Sequence, residues 1–281
     1  MNKLPNEKRA QVLQMMAEGL ALRAITRLTG ISRTTLQKLL EDAGQAFSEY
    51  QDRTLMNLPC KRVQVDEAWS FCYAKQKNVP TAKKAPEGAG DIWTWVGLDA
   101  DTKLAASFYV GGRDSEAAMT FMDDLAKRLA NRVQLTSDGH RPYLEAVEGA
   151  FGGDIDYATL VKIYGAAPEG QRRYSPAICT GAHKHCIEGN PDPKHVSTSF
   201  VERSNLSMRM GNRRMTRLTN AFSKKALNHA HMMAIYFMHY NFVRLHQTLR
   251  MTPAMAAGVT KRLWEMADIV DVLEAWENSA P

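Results

Sequence analysis

Residues 61–71 read KRVQVDEAWSF, and here the pattern of the chain changes. Upstream, apolar residues recur at helical spacing. From Val63 onward they alternate or run together, as in a strand packed into a sheet. Two more such runs follow, DIWTWVGLD (91–99) and KLAASFYVGG (103–112), so three successive strands are expected. Between the first two, AKQKNVPTAKKAPEGAG (74–90) holds two Pro, two Gly and four Lys and reads as a long hairpin loop. A helix is expected over 115–130 with Ser115 as its cap, then a strand over 132–140 (RVQLTSDGH) that ends in Asp138. PYLEAVEGAF reads as a helix and YATLVKIYG (157–165) as a fifth strand. Residues 166–196 are rich in Pro and Gly without clear periodicity; helices return at about 197–210 and 221–245.

Three strands, helix, strand, helix, strand and helix make an α/β order. The expected fold is a mixed five-stranded sheet with flanking helices that resembles the ribonuclease-H-like arrangement. Ahead of it, residues 6–42 read as three short helices. Val12, Leu13, Met15, Met16 and Leu20 give the first an apolar face, the second runs from Leu22 to Leu28, and TGIS leads into a third with Ser32 as N-cap. Helix, Gly-containing turn and helix form a helix-turn-helix pattern. Arg33, Thr34, Thr35, Gln37 and Lys38 load the third helix with groups able to meet base edges or phosphates. The expected division is a helix-turn-helix domain over 1–45, a linker over 46–60, a catalytic domain over 61–250 and a helical tail over 251–281.

The bulk numbers fit that outline. The 281 residues are 44% hydrophobic and 23% charged, enough for a sizeable core. A net charge of +6 hints at a polyanionic partner. Four cysteines, unevenly spaced, read as reduced thiols of the cytoplasm. MNKLPNEKRA has no apolar stretch after its charges, which excludes a signal peptide in that segment. HMMAIYFMHYNFV (231–243) is too short to span a bilayer and reads as a buried helix, so no membrane is expected.

Three acids fall at informative places. Asp66 lies inside the first strand, Asp138 at the end of the fourth, and Glu202 on the helix after the fifth. A carboxylate in an apolar strand is costly unless something pairs with it. A divalent cation does so: carboxylate oxygens are the hard ligands Mg²⁺ prefers, and two such ions serve an in-line phosphoryl displacement. Each acid also has a plainer reading. Asp66 can face solvent, Asp138-Gly139 can form a turn, and Ser199-x-x-Glu202 fits a capping box. Between Arg203 and Lys225 there are seven Lys or Arg and no acid. Asn205 and Arg209, three and seven residues after Glu202, share its helical face. Arg209 can hold the phosphate under attack, while Arg213, Arg214 and Arg217 suit sequence-independent phosphate contacts.

VQVDEAWSF, DIWTWVGLD, RVQLTSDGH, HVSTSFVERSNLSMRMGNRRMTRLTNAFSKK and YNFVRLHQTLRMTPAMAAG together resemble the DDE transposases of bacterial insertion sequences, the IS-one group in particular. The resemblance spans about 61–259. It implies that Asp66, Asp138 and Glu202 bind Mg²⁺, with Mn²⁺ able to substitute, and that Arg209 fills the basic position after the Glu. It implies double-stranded DNA partners, the terminal inverted repeats and the target. It further implies a homodimer or higher oligomer on DNA and a nucleoid-associated protein. Relatives with an N-terminal Cys-rich zinc module differ from this chain, which has no Cys before Cys60. Two other functions stay open: a catalytically silent DNA-binding regulator, and a nuclease of the same fold that cuts without joining. A tyrosine recombinase is disfavoured, since none of the eight His is followed by x-x-Arg.

Weaker signals remain. CTGAHKHC (179–186) offers Cys179, His183, His185 and Cys186, all zinc-capable, though adjacent His185 and Cys186 make a single tetrahedral site awkward. His140 and His195 can approach the acids. Trp69, Trp93 and Trp95 read as sheet packing, with Trp69 able to stack on a base. Arg244 and His246 can lie near DNA, and the acidic amphipathic C-terminus can pack on the domain or on a second protomer.

Overall fold

The computed structural model describes residues 3–165, 179–215 and 220–279. Its centre is β1 (Arg62–Cys72), antiparallel to β2 (Gly90–Asp99), which is antiparallel to β3 (Ala105–Gly111). On the other edge of β1, β4 (Gln134–Ser137) and then β5 (Asp156–Tyr164) add in parallel. Among the described residues the sheet has six strands, not five, in the order β3-β2-β1-β4-β5-β6. The sixth is β6 (Cys179–Glu188), antiparallel to β5 in a stretch expected to be irregular. It is exposed along nearly its whole length, so it has no apolar face to betray it by alternation.

Helices cover both faces of the sheet. Trp95 of β2 packs against Phe121 of α4 (Ser115–Arg128) and Tyr143 of α5 (Pro142–Phe151). On the opposite face, Phe108 of β3 stacks on Phe237 of α7 (Ala226–Phe242), and α6 (Ser199–Gly211) lies against β1 and β2. The cap of α4 is Asp114, not Ser115: its carboxylate accepts from the Ala117 N–H at 2.9 Å. Helix α7 is buried along most of its length, as its apolar run foretells. No helix among the described residues is long and apolar enough to cross a membrane.

The N-terminal helices are α1 (Asn6–Ala17), α2 (Leu22–Thr29) and α3 (Arg33–Thr54). Helix α2 ends at Gly30, whose φ of +73° is left-handed, and Ser32 caps α3 through the Thr35 N–H at 3.2 Å. Helix α3 does not stop at residue 45 but runs on to Thr54, packed on α7. Gly44 permits this approach, since a Cβ there would lie 2.2 Å from the His231 Cβ. After the short α8 (Pro253–Ala256), α9 (Met266–Ser279) packs on α1 and α3, where Glu277 pairs with Arg9 at 2.7 Å and Lys3 at 2.9 Å. The main core cluster consequently runs from Val12 through the sheet to Leu273.

Gly19 joins the N-terminal helices to α6. Its φ is +82°, and a Cβ there would sit 2.3 Å from the Gly211 carbonyl oxygen. Gly149, inside α5, meets nothing within 4 Å. In urea unfolding, Gly19→Ala is expected to lose about 1–3 kcal/mol through strain and overpacking. Gly149→Ala is expected to gain roughly 0.5–1 kcal/mol. A Gly19→Ala protein as stable as wild type would show that this junction tolerates a side chain.

Candidate active site

Strand alternation sends consecutive residues of β1 to opposite faces of the sheet. The β1–β2 register places Asp66 beside Val96 and Glu67 beside Trp95. Asp66 turns toward α6, where its Oδ2 accepts from Asn205 Nδ2 at 2.8 Å. Glu67 turns toward α4 and α5: its Oε2 accepts from the Tyr143 hydroxyl at 2.9 Å, and Oε1 pairs with Arg113 at 2.6 Å. The Arg113 guanidinium lies over the Trp93 ring, 4.6 Å from its centroid. The parallel register pairs Gln64 of β1 with Thr136 of β4, and two residues further along it brings Asp138 beside Asp66. Carboxylate oxygens of Asp66, Glu67 and Asp138 all lie within 4.8 Å of one another.

Glu67 is the acid that sequence reasoning missed. The signal was present in the adjacent Asp-Glu pair of VQVDEAW, but a Glu next to a strand Asp reads as its solvent-facing neighbour. Here it is buried, because Arg113 and Tyr143 both reach it.

Glu202 lies on α6 in the wall of the same cleft, a cavity of about 750 Å³ also lined by Asp66, Arg113, Asp138, His140, Arg141 and Lys162. It is not one of the three converging acids. Its carboxylate pairs with Lys162 of β5 and accepts from the Thr198 hydroxyl at 2.5 Å. The expected capping box is absent: the Glu202 N–H donates to the Thr198 carbonyl at 3.0 Å, and no side-chain cap comes from Ser199. The cap arrives from the sheet instead. Gln64, buried in β1, accepts from the N–H groups of Phe200 at 2.9 Å and Val201 at 3.1 Å. Gln64 and Asp66, two residues apart, thus hold α6 at its first turn and at Asn205.

The remaining expected residues divide. Asn205, expected at the DNA, is buried, and its Nδ2 donates to Asp66. Arg209 is half-buried in the last turn of α6. Arg213 is exposed just beyond the helix, Arg214 is half-buried, and Arg217 lies outside the described residues. Arg33, Thr34, Thr35 and Lys38 are exposed on α3 and Gln37 half so; Gln37 and Lys38 bond Glu41 and Asp42 of their own helix. His140 lines the cleft and donates its backbone N–H to Asp138 at 2.8 Å, while His195 lies against Arg62 and Asp192. Trp95 is fully buried. His183 and His185 share one side of exposed β6 with ring centroids 6.0 Å apart, whereas the next residue, Cys186, alternates to the other side.

Like charges crowd Asp66. Burial first, then Glu67 and Asp138, push its carboxyl up to about 7, against the lowering bond from Asn205. Hard oxygens held this close, with Arg113 compensating only the Glu67 charge, suit a divalent cation.

No protein-family model and no curated protein matches the chain. Among solved structures it is similar to a piggyBac transposase synaptic complex with hairpin DNA, determined by cryo-EM. That likeness has 10% sequence identity and a TM-score of 0.39, over 100% of this chain and 74% of the other.

A carboxyl whose folded pKa stands above its unfolded value stabilises the fold at low pH, and that stability is lost as pH rises through about 7. With EDTA present, Asp66→Asn is therefore expected to gain on wild type between about pH 4 and pH 8, by up to about 4 kcal/mol. Adding Mg²⁺ at pH 8 should stabilise wild type and not the variant. A stability difference that stays flat across this pH range would remove the assigned repulsion.

Proposed function

We propose that this chain is a DNA transposase with a ribonuclease-H-like catalytic core. In this reading it binds the ends of an insertion sequence, hydrolyses the terminal phosphodiester and joins the freed 3′-OH to target DNA. The observation that carries the reading is the convergence of Asp66, Glu67 and Asp138 in a cleft whose wall also holds Glu202. The resemblance of the motifs around these acids to insertion-sequence transposases supports it further.

The donor set fits Mg²⁺, or Mn²⁺ in its place: only carboxylate oxygens converge, and one of them is protonated more readily than a free carboxylate. Asp66 and Asp138 would hold the metal, with Glu202 or Glu67 completing the set. When bound, the metal lowers the pKa of water and offsets charge on the phosphoryl oxygens. The chain does the rest. Asn205 keeps Asp66 turned toward the cleft, and Arg113 with Tyr143 keeps Glu67 from rotating away. Lys162 and Arg141 line the cleft as cations for the substrate phosphate, and Lys162 releases Glu202 as it takes up that contact. Arg209, two turns along α6 from Glu202, holds the adjoining strand. The exposed groups of α3, from Arg33 to Lys38, meet the duplex as the second helix of a helix-turn-helix. Two element ends call for two active sites, hence a homodimer or larger assembly on DNA, working at the nucleoid.

The test is cleavage and joining of labelled DNA taken from the flanks of the coding sequence, with Mg²⁺ or Mn²⁺. Asp66→Asn and Asp138→Asn are expected to abolish both steps while duplex binding persists. Glu202→Gln and Glu67→Gln tell the third ligand from its neighbour: the former should lose cutting altogether, the latter only slow it, by about ten- to a hundredfold through disordered Asp66 and Asp138. Cutting without joining would identify a nuclease instead, and binding with no metal-dependent cutting a regulator.

A further inference from the structure

At the far end of α6 from the acids, a groove of about 550 Å³ opens between the N-terminal helices and the chain after α6. Arg23 of α2, Arg33 at the start of α3, Arg213, Arg214, Lys224 and Lys225 line it. A second hollow of about 500 Å³, which shares Gly19 through Ala21, Arg23 and Arg213, extends it toward Arg27 and Met210. Among the described residues, Glu18 is the one carboxylate in either lining. The six cations of the groove form no ion pair among the described residues. By contrast, Arg9, Arg62, Arg113, Arg128, Arg132 and Arg262 each have an acid within 4.0 Å.

Ordinary explanations account for only part of this. The negative end of the α6 dipole, about half a charge, attracts one or two cations and not six. Lys224 and Lys225 are exposed and can be solvated. Arg214 is different. It is sequestered enough that burial lowers its pKa, no acid among the described residues offsets that shift, and its described side-chain bond is to the Ser223 hydroxyl at 3.0 Å. A guanidinium in that position calls for an anion. Arg33 and Gln37, on the helix read above as the DNA-recognition helix, share the lining.

We propose that this groove seats the phosphodiester backbone of the same duplex whose bond lies in the acidic cleft, so that α6 is gripped against DNA at both ends. The proposal rests on the DNA-processing reading above and extends it to Arg23, Lys224 and Lys225. Helix α6 sets the spacing: nine residues from Glu202 to Gly211 rise about 14 Å, close to four phosphates at about 3.4 Å per nucleotide of one strand. The seated phosphates lie about four nucleotides from the reacting one.

The experiment uses the full chain and a mixed-sequence DNA duplex in EDTA, with affinity measured by anisotropy between about 50 and 200 mM salt. The combined variant Arg23→Gln, Lys224→Gln, Lys225→Gln removes three cations while leaving the acids untouched. Its slope of log Kd against log salt is expected to be shallower than wild type by about 2–3, near 0.9 for each lost contact. The reference variant Lys8→Gln, Lys127→Gln, Lys261→Gln, exposed and outside the groove, should keep the wild-type slope. An unchanged slope in the groove variant, or an equal change in the reference, overturns the groove. Tighter binding of duplex RNA than of DNA overturns the choice of DNA. A scan of single methylphosphonate linkages in the Mg²⁺ cleavage assay should show its greatest loss about four nucleotides from the cut, and uniform loss would overturn the spacing. Metal-dependent cutting with an unchanged slope defeats the groove alone. The slope change in a wild-type protein that never cuts defeats the transposase reading and leaves the groove.

Discussion

Three carboxylates within 4.8 Å of one another are the constraint around which this molecule is built. At an effective dielectric near 20, each such pair repels by roughly 3–4 kcal/mol, and partial burial removes some of the water that would screen it. The protein answers on each side of the sheet. Arg113 and the Tyr143 hydroxyl take Glu67, Asn205 takes Asp66, and the backbone of His140 takes Asp138. These contacts hold the acids in place without neutralising all three, and the raised Asp66 carboxyl is the residue of that imbalance. An acid set left partly unpaired in this way is compatible with a divalent cation, which a fully paired network would not be.

Strand β1 makes the arrangement possible because it works on both faces. One residue of register separates Asp66 from Glu67 and assigns them to different helices. Gln64, on the Asp66 side of the strand, replaces the local cap of α6 with a cap from the sheet. The helix that carries Glu202 is therefore positioned by β1 and not by its own first turn. Thr198 and Glu202 are consequently free to bond each other, and Glu202 to meet Lys162.

The same helix carries the order of the site outward. Its last residue, Gly211, touches Gly19, and that contact ties the turn between α1 and α2 to the helix that lines the acidic cleft. Close packing of α3 on α7 through Gly44 does the same further along. A continuous core leaves the first helices little freedom to swing as a tethered reader. A groove shaped between α2, α3 and the end of α6 is thereby held at a constant distance from the acids.

Much of this was legible in the residues. Alternation and turn chemistry mark five of the six strands, and Ser32 announces the start of α3. Asp66 and Asp138 stand out because acids at those points of apolar strands need a reason to be there. The sequence determined these features because they depend on near neighbours along the chain. Tertiary structure decided the rest. Strand β6 is stabilised by pairing with β5 rather than by an apolar face, so periodicity could not reveal it. The capping box written in Ser199-x-x-Glu202 lost to Gln64, a residue 136 positions away from Phe200. Glu67 joined the acids, and Asn205 became a partner of Asp66, because side chains from distant elements reached them. Which carboxylates share a site is a matter of sheet register and helix docking, and those are set by packing across the whole core.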